Sequence, residues 1–117
     1  MKDMEGKVHS AMDRQCDERS YAAPVDVLMD IGLLDKKELD DWRRGRIPYL
    51  EAACKGNLHK LSSITREMKS YARSKGWKES ITEYRQWGAK SRVLRFSKSG
   101  DPNIEKTYST HYCVNKK

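Results

Sequence analysis

No stretch of this 117-residue chain approaches the roughly 18 consecutive apolar residues that a membrane-crossing helix requires. The opening Met1-Lys2-Asp3-Met4-Glu5-Gly6 has no basic region followed by an apolar one, so neither export by that route nor membrane anchoring is expected, and the expected compartment is the cytoplasm. Cysteine is scarce: Cys16, Cys54 and Cys113 are odd in number and far apart, and none belongs to a Cys-x-x-Cys pair. That excludes a disulfide framework and a zinc ribbon and leaves three reduced thiols as the plain reading. His9, His59 and His111 stand singly. No His-x-x-x-His, paired-carboxylate, Gly-x-Ser-x-Gly, phosphate-loop or Gly-x-Gly-x-x-Gly pattern occurs. No catalytic residue, metal site or cofactor is therefore assigned, and the pattern points away from an enzyme. Internal repeats and low-complexity segments are also absent, and the length suits one domain.

What is present is charge, and it is unevenly spread. Residues 1–54 carry 9 Lys and Arg against 12 Asp and Glu, a net of −3, whereas residues 55–117 carry 15 against 5, a net of +10. A basic half of this kind meets polyanions by releasing their condensed counterions. Solvation of exposed helix faces by Lys is the competing explanation.

The local patterns give mostly helices. Residues 1–20 read as a weakly amphipathic helical extension with Val8, Ala11, Met12 and Cys16 on one side, frayed or docked only in an oligomer. Pro24 opens a short helix over 25–31, stopped by Gly32. Asp35 and Glu38 form a candidate capping box, with Leu34 and Leu39 as its staple, for a helix over 36–44. Pro48 opens a further segment over 48–55. Asn57 caps the longest helix, 58–75, whose Leu58, Leu61, Ile64, Met68, Tyr71 and Ala72 share one face. Gly76 and Trp77 fit its left-handed cap. Residues 81–87 and 92–97 read as a hairpin turned at 88–91. Asp101 and Pro102 start a closing helix with Ile104, Tyr108, His111 and Tyr112 on one side. The expected fold is α+β, mainly α: four to six helices around the 58–75 helix, with a C-terminal hairpin and a closing helix. Residues 21–117 make one domain behind the 1–20 extension.

On the long helix Ser62, Arg66, Lys69 and Arg73 line up within about 60° of one another, a basic edge able to follow a phosphate backbone. The hairpin adds Arg85, Lys90, Arg92, Arg95 and Lys98 beside Trp87 and Phe96. Three helices before a basic hairpin are loosely similar to the general winged-helix plan, though a solvated charged face is the commoner reading of the helix edge alone, and only the clustering in both elements brings the two readings level. A helix-turn-helix reading of residues 25–44 is disfavoured. Its second helix would lead with Asp35 and carry Asp40 and Asp41, which repel phosphate. Arg43, Arg44 and Arg46 around Gly45 suit phosphate or carboxylate recognition, or internal pairing with Asp40, Asp41 and Glu51.

The segments Trp42 to Glu51, Asn57-Leu58, and Leu94 to Asp101 leading into Tyr108-Ser109-Thr110-His111 together resemble a group of small uncharacterised bacterial proteins, over most of the chain from Tyr21 onward. The resemblance implies a bacterial cytosolic origin and carries no activity. Three functional expectations stand. The leading one is non-enzymatic nucleic-acid binding, DNA before RNA, through Arg66, Lys69, Arg73, Arg85, Lys90, Arg92, Arg95 and Lys98. The first alternative is a protein-interaction module or homo-oligomer with acidic and basic halves in contact. The second is a small nuclease or hydrolase using His111 with Glu83, Arg95 and Tyr108.

Overall fold

The longest element, α5 (Leu58–Ser74), organises the rest. The computed structural model describes the backbone of residues 2–114 and the side chains of 5–88 and 92–114. Ahead of α5 come α1 (Lys2–Arg19), β1 (Tyr21–Ala22), α2 (Pro24–Asp30), α3 (Lys36–Arg43) and α4 (Leu50–Ala53). After it come β2 (Lys78–Ile81), β3 (Arg85–Gln86), β4 (Ala89–Val93), α6 (Pro102–Ser109) and β5 (Thr110–Cys113). The class is α+β, mainly α, as the periodicity predicts. The apolar stripe of α5 is where the pattern puts it: Leu61, Ile64, Met68 and Ala72 are buried, though Leu58 stays exposed. At its start Asn57 Oδ1 accepts from the Lys60 amide at 2.8 Å. At its end Gly76, at φ +72°, lets the Trp77 amide reach the Ala72 carbonyl at 3.0 Å and its own amide reach Arg73 at 3.1 Å. This is the left-handed cap the sequence announces.

Residues 1–20 read as an extension, yet Val8, Ala11, Met12 and Cys16 enter the same core as α5 within a single chain. Polar contacts fix the register: His9 stacks on Tyr71 with ring centres 4.0 Å apart and bonds Glu67 at 2.6 Å, and the Tyr71 hydroxyl donates to Asp13 at 2.9 Å. Asp35 precedes α3 without capping it. Its side chain makes no bond to the first turn and lies 3.4 Å from Lys55 Nζ instead, so the capping box does not form.

The C-terminal third departs most from its sequence pattern. A hairpin exists, but it is the short β3–β4 pair. Ile81 belongs instead to β2, which pairs antiparallel with β5, and β1 takes the other edge of β5 to give the order β1-β5-β2. The closing helix accordingly stops at Ser109. His111 and Tyr112 do not share a helix side, because on a strand neighbours point to opposite faces. Tyr112 goes into the core and His111 stays half-buried beside Tyr21 and Tyr84. Thr110, His111 and Tyr112 are β-branched or aromatic, types that suit a strand once two partners are available.

Trp42 joins the two halves. Fully buried, it packs on Phe96 at 5.1 Å and on Tyr84 at 5.7 Å, and its indole N–H donates to the Arg95 carbonyl at 2.8 Å. The Leu50 and Glu51 amides donate to the Arg95 and Phe96 carbonyls at 3.1 and 2.9 Å, so the stretch after β4 satisfies the first turn of α4. Gly45, at φ +81°, lies so close to the Gln86 side chain that a Cβ there would come within 2.6 Å of Oε1. The Arg43 carbonyl accepts from the Trp87 amide at 2.7 Å. The Trp42 to Glu51 segment thus clasps the β3–β4 hairpin.

Candidate nucleic-acid interface

α5 and α6 leave a groove between them with two hollows that share Thr107 as a wall. One strip of α5 runs along it, Leu58, Ser62, Thr65, Lys69 and Arg73, in steps of three or four residues that keep one side of a helix toward α6. α6 answers with Asn103, Ile104, Lys106, Thr107 and Tyr108. Its direction is set by Asp101, whose Oδ1 accepts from the Asn103 amide at 2.8 Å, and by Pro102 in the first turn. Glu105 on its inner side accepts from the Phe96 and Ser97 amides at 2.8 and 2.7 Å, which locks α6 to the loop after β4.

The first hollow, about 360 Å³, is polar: Lys69, Arg73 and Lys106 converge on it above Thr110 and Tyr112. Its one carboxylate is Glu79, 3.5 Å from the Arg73 guanidinium. Both partners of that pair are well exposed, so it is weak and open to exchange. Among the described residues neither Lys69 nor Lys106 makes an ion pair. The second hollow, about 510 Å³, is mostly apolar, lined by Leu58, Ile104 and Tyr108 together with Ser62, Thr65 and Lys98. Leu58 is 58% and Ile104 41% exposed, two of the five large apolar side chains exposed among the described residues. Glu51 reaches this hollow from α4: Oε1 accepts from the Lys98 amide at 3.1 Å and Oε2 from the Tyr108 hydroxyl at 2.9 Å. Burial and then the Glu51 charge push the Tyr108 hydroxyl well up, so it stays protonated and donates to Glu51.

The eight basic residues read as phosphate contacts divide in the structure. Lys69 and Arg73 meet in the polar hollow, and Arg66 is exposed one turn away on α5. Lys98 lines the apolar hollow of the same groove. Arg95 is exposed, and its Nε donates to the Ser97 carbonyl at 2.8 Å and its Nη2 to the Lys98 carbonyl. Arg85 lies on β3 against Glu83 at 2.6 Å, and Arg92 is exposed on β4. The Lys90 side chain lies outside the described residues. Lys106, Asn103 and Thr107 were not singled out by the sequence reading. Their i, i+3, i+4 spacing, which sets three polar residues along one strip of α6, is the signal that marks them.

His111 faces a separate cavity of about 350 Å³ with Tyr21, Asp26, Arg43, Glu83 and Tyr84. Its Nε2 is 3.1 Å from the Tyr84 hydroxyl and its ring stacks on Tyr21 at 4.9 Å. Burial lowers its pKa, the Arg19 charge lowers it further, and Asp26 opposes both. Glu83 lines this cavity, but Arg95 and Tyr108 are held elsewhere by the bonds already described, so the four-residue grouping around His111 is not assembled. Burial raises the Cys16 thiol to about 11 and the Cys54 thiol to about 12, which keeps both protonated and poor nucleophiles. Among the described residues no cluster of His, Cys, Asp and Glu is placed to hold a metal ion, and no helix is long and apolar enough to cross a membrane. Compared with protein-family models, with curated proteins and with solved structures, the chain matches none.

Proposed function

We propose that this protein is a non-enzymatic nucleic-acid-binding protein, DNA being the expected partner, which lays a phosphate backbone along the α5–α6 groove. The observation that carries the reading is the meeting of Lys69, Arg73 and Lys106, from two helices, around one polar hollow, with Arg66 exposed on the adjoining turn of α5. Charges from separate elements that converge on a concave surface raise the local potential above that of a scattered solvated face. Glu79 holds Arg73 only loosely, so a phosphate can replace it.

Binding of labelled duplex DNA, single-stranded DNA and RNA at about 50 and about 200 mM salt, with the Lys69→Glu/Arg73→Glu variant in parallel, tests this. The expected result is affinity that falls linearly with salt on logarithmic axes. In the variant, affinity drops and the slope shrinks by about two, one for each lost phosphate contact. Absence of binding at the lower salt, or a variant that binds like the parent, ends the reading.

A further inference from the structure

The apolar end of the groove is not needed for phosphate binding, yet two exposed aliphatic side chains, Leu58 and Ile104, line one hollow there. We propose that this hollow takes one unstacked base of a single strand whose neighbouring phosphate lies on Lys69, Arg73 and Lys106, with Glu51 accepting from an exocyclic amine of that base. The inference rests on the nucleic-acid reading above and adds to it the form of the ligand and a base preference.

Three features argue for a base. First, the two hollows adjoin: Thr107 lines both, and Thr65 precedes Lys69 by one helical turn, a rise of about 6 Å along α5. Second, the chemistry of the apolar hollow is mixed. Leu58 and Ile104 offer apolar walls for the faces of a flat ring, while Ser62, Thr65, Lys98 and the Glu51 carboxylate line the same hollow and offer hydrogen bonds to a ring edge. Proteins that hold an extruded base combine such apolar walls with polar groups on its Watson–Crick edge. Third, Glu51 has capacity to spare. A carboxylate has about four acceptor sites, and the Lys98 amide and Tyr108 hydroxyl engage one on each oxygen. A carboxylate accepts from the cytosine N4 amine, whereas thymine presents a carbonyl at that position and repels it. A base paired within a duplex cannot enter, so single strands are favoured.

The test uses the full chain and short labelled single strands of deoxycytidine, of deoxythymidine and of abasic deoxyribose phosphate, with a duplex as the fourth ligand. The deoxycytidine strand is expected to bind about fivefold or more tighter than the abasic strand, and tighter than the duplex and the deoxythymidine strand. Leu58→Ser/Ile104→Ser leaves net charge unchanged and is expected to bring deoxycytidine down to the abasic level while abasic binding stays as it was. Glu51→Gln can still accept from Lys98 and bond Tyr108, and is expected to abolish the preference of deoxycytidine over deoxythymidine. Equal binding of deoxycytidine and abasic strands by the unmodified protein overturns the inference, a comparison that does not depend on any variant folding. If that equal binding is salt-sensitive and lost in Lys69→Glu/Arg73→Glu, phosphate recognition stands and the base site alone falls. If no ligand binds in a salt-sensitive way, both fall.

Discussion

His111 occupies a place where a proton changes the energy of the fold. Its ring is half-buried between Tyr21 and Tyr84, near Arg19, and both burial and that charge disfavour the imidazolium despite Asp26. The unfolded chain therefore takes up this proton at a higher pH than the folded chain. The sign follows: the stability His111 contributes is complete above its ordinary value of 6.5 and declines as pH falls below it toward the lower folded value. Urea midpoints at about pH 7.5 and about pH 5.5 are expected to differ more for the parent than for His111→Gln. Equal differences would show that the folded environment leaves the proton indifferent. None of this setting was legible in the sequence, where His111 falls on the apolar side of a continued helix. Its ring partners come from β1 and from the loop before β3, and only the three-stranded sheet brings them together. Arg95 shows the same limit: exposed on the loop after β4, it donates to carbonyls two and three residues ahead, a local arrangement that charge counting does not reveal.

The elements that sequence reasoning placed best are those decided within a few residues. Asn57 and Asp101 each accept from an amide of the following turn, and Gly76 closes α5. Asp35 has the same local signature but turns toward Lys55, in a pair of two exposed side chains. Asn57→Ala and Asp101→Ala are each expected to cost about 1 kcal/mol, while Asp35→Ala is expected to stay within about 0.5 kcal/mol. Urea denaturation of the three variants checks the contrast, and a loss at Asp35 equal to the others would restore the cap there. Strand pairing was less legible because it is settled by distant partners. Residues 78–81 and 110–113 lie on either side of the β3–β4 hairpin and of α6, so neither segment announces the other. Once β5 forms between β1 and β2, Ile81 is drawn out of the expected hairpin, which shrinks to β3 and β4.

At the scale of the whole molecule, the basic half was plain in the composition, but the groove was not. Lys106 is one Lys among many until α6 is packed beside α5. The converse holds for α1, whose apolar side is four residues set among charges, too weak a stripe to distinguish a docked helix from a frayed one. The structure decides it: Val8, Ala11, Met12 and Cys16 are each no more than 6% exposed, and they share a core with Leu61, Ile64 and Met68. Truncating one large buried side chain of this kind costs about 2–5 kcal/mol, against a total of about 5–15 kcal/mol for a domain. Deleting residues 1–19 removes all four contacts and exposes the face of α5 they cover, a loss comparable with the whole stability. The shortened chain is therefore expected to give no cooperative thermal transition and no near-ultraviolet circular dichroism. Met12→Ala is expected to fold with a midpoint lowered in proportion to its single cavity. A shortened chain that melts cooperatively at the parent temperature would make α1 an appendage, and the core would then have to be complete without it.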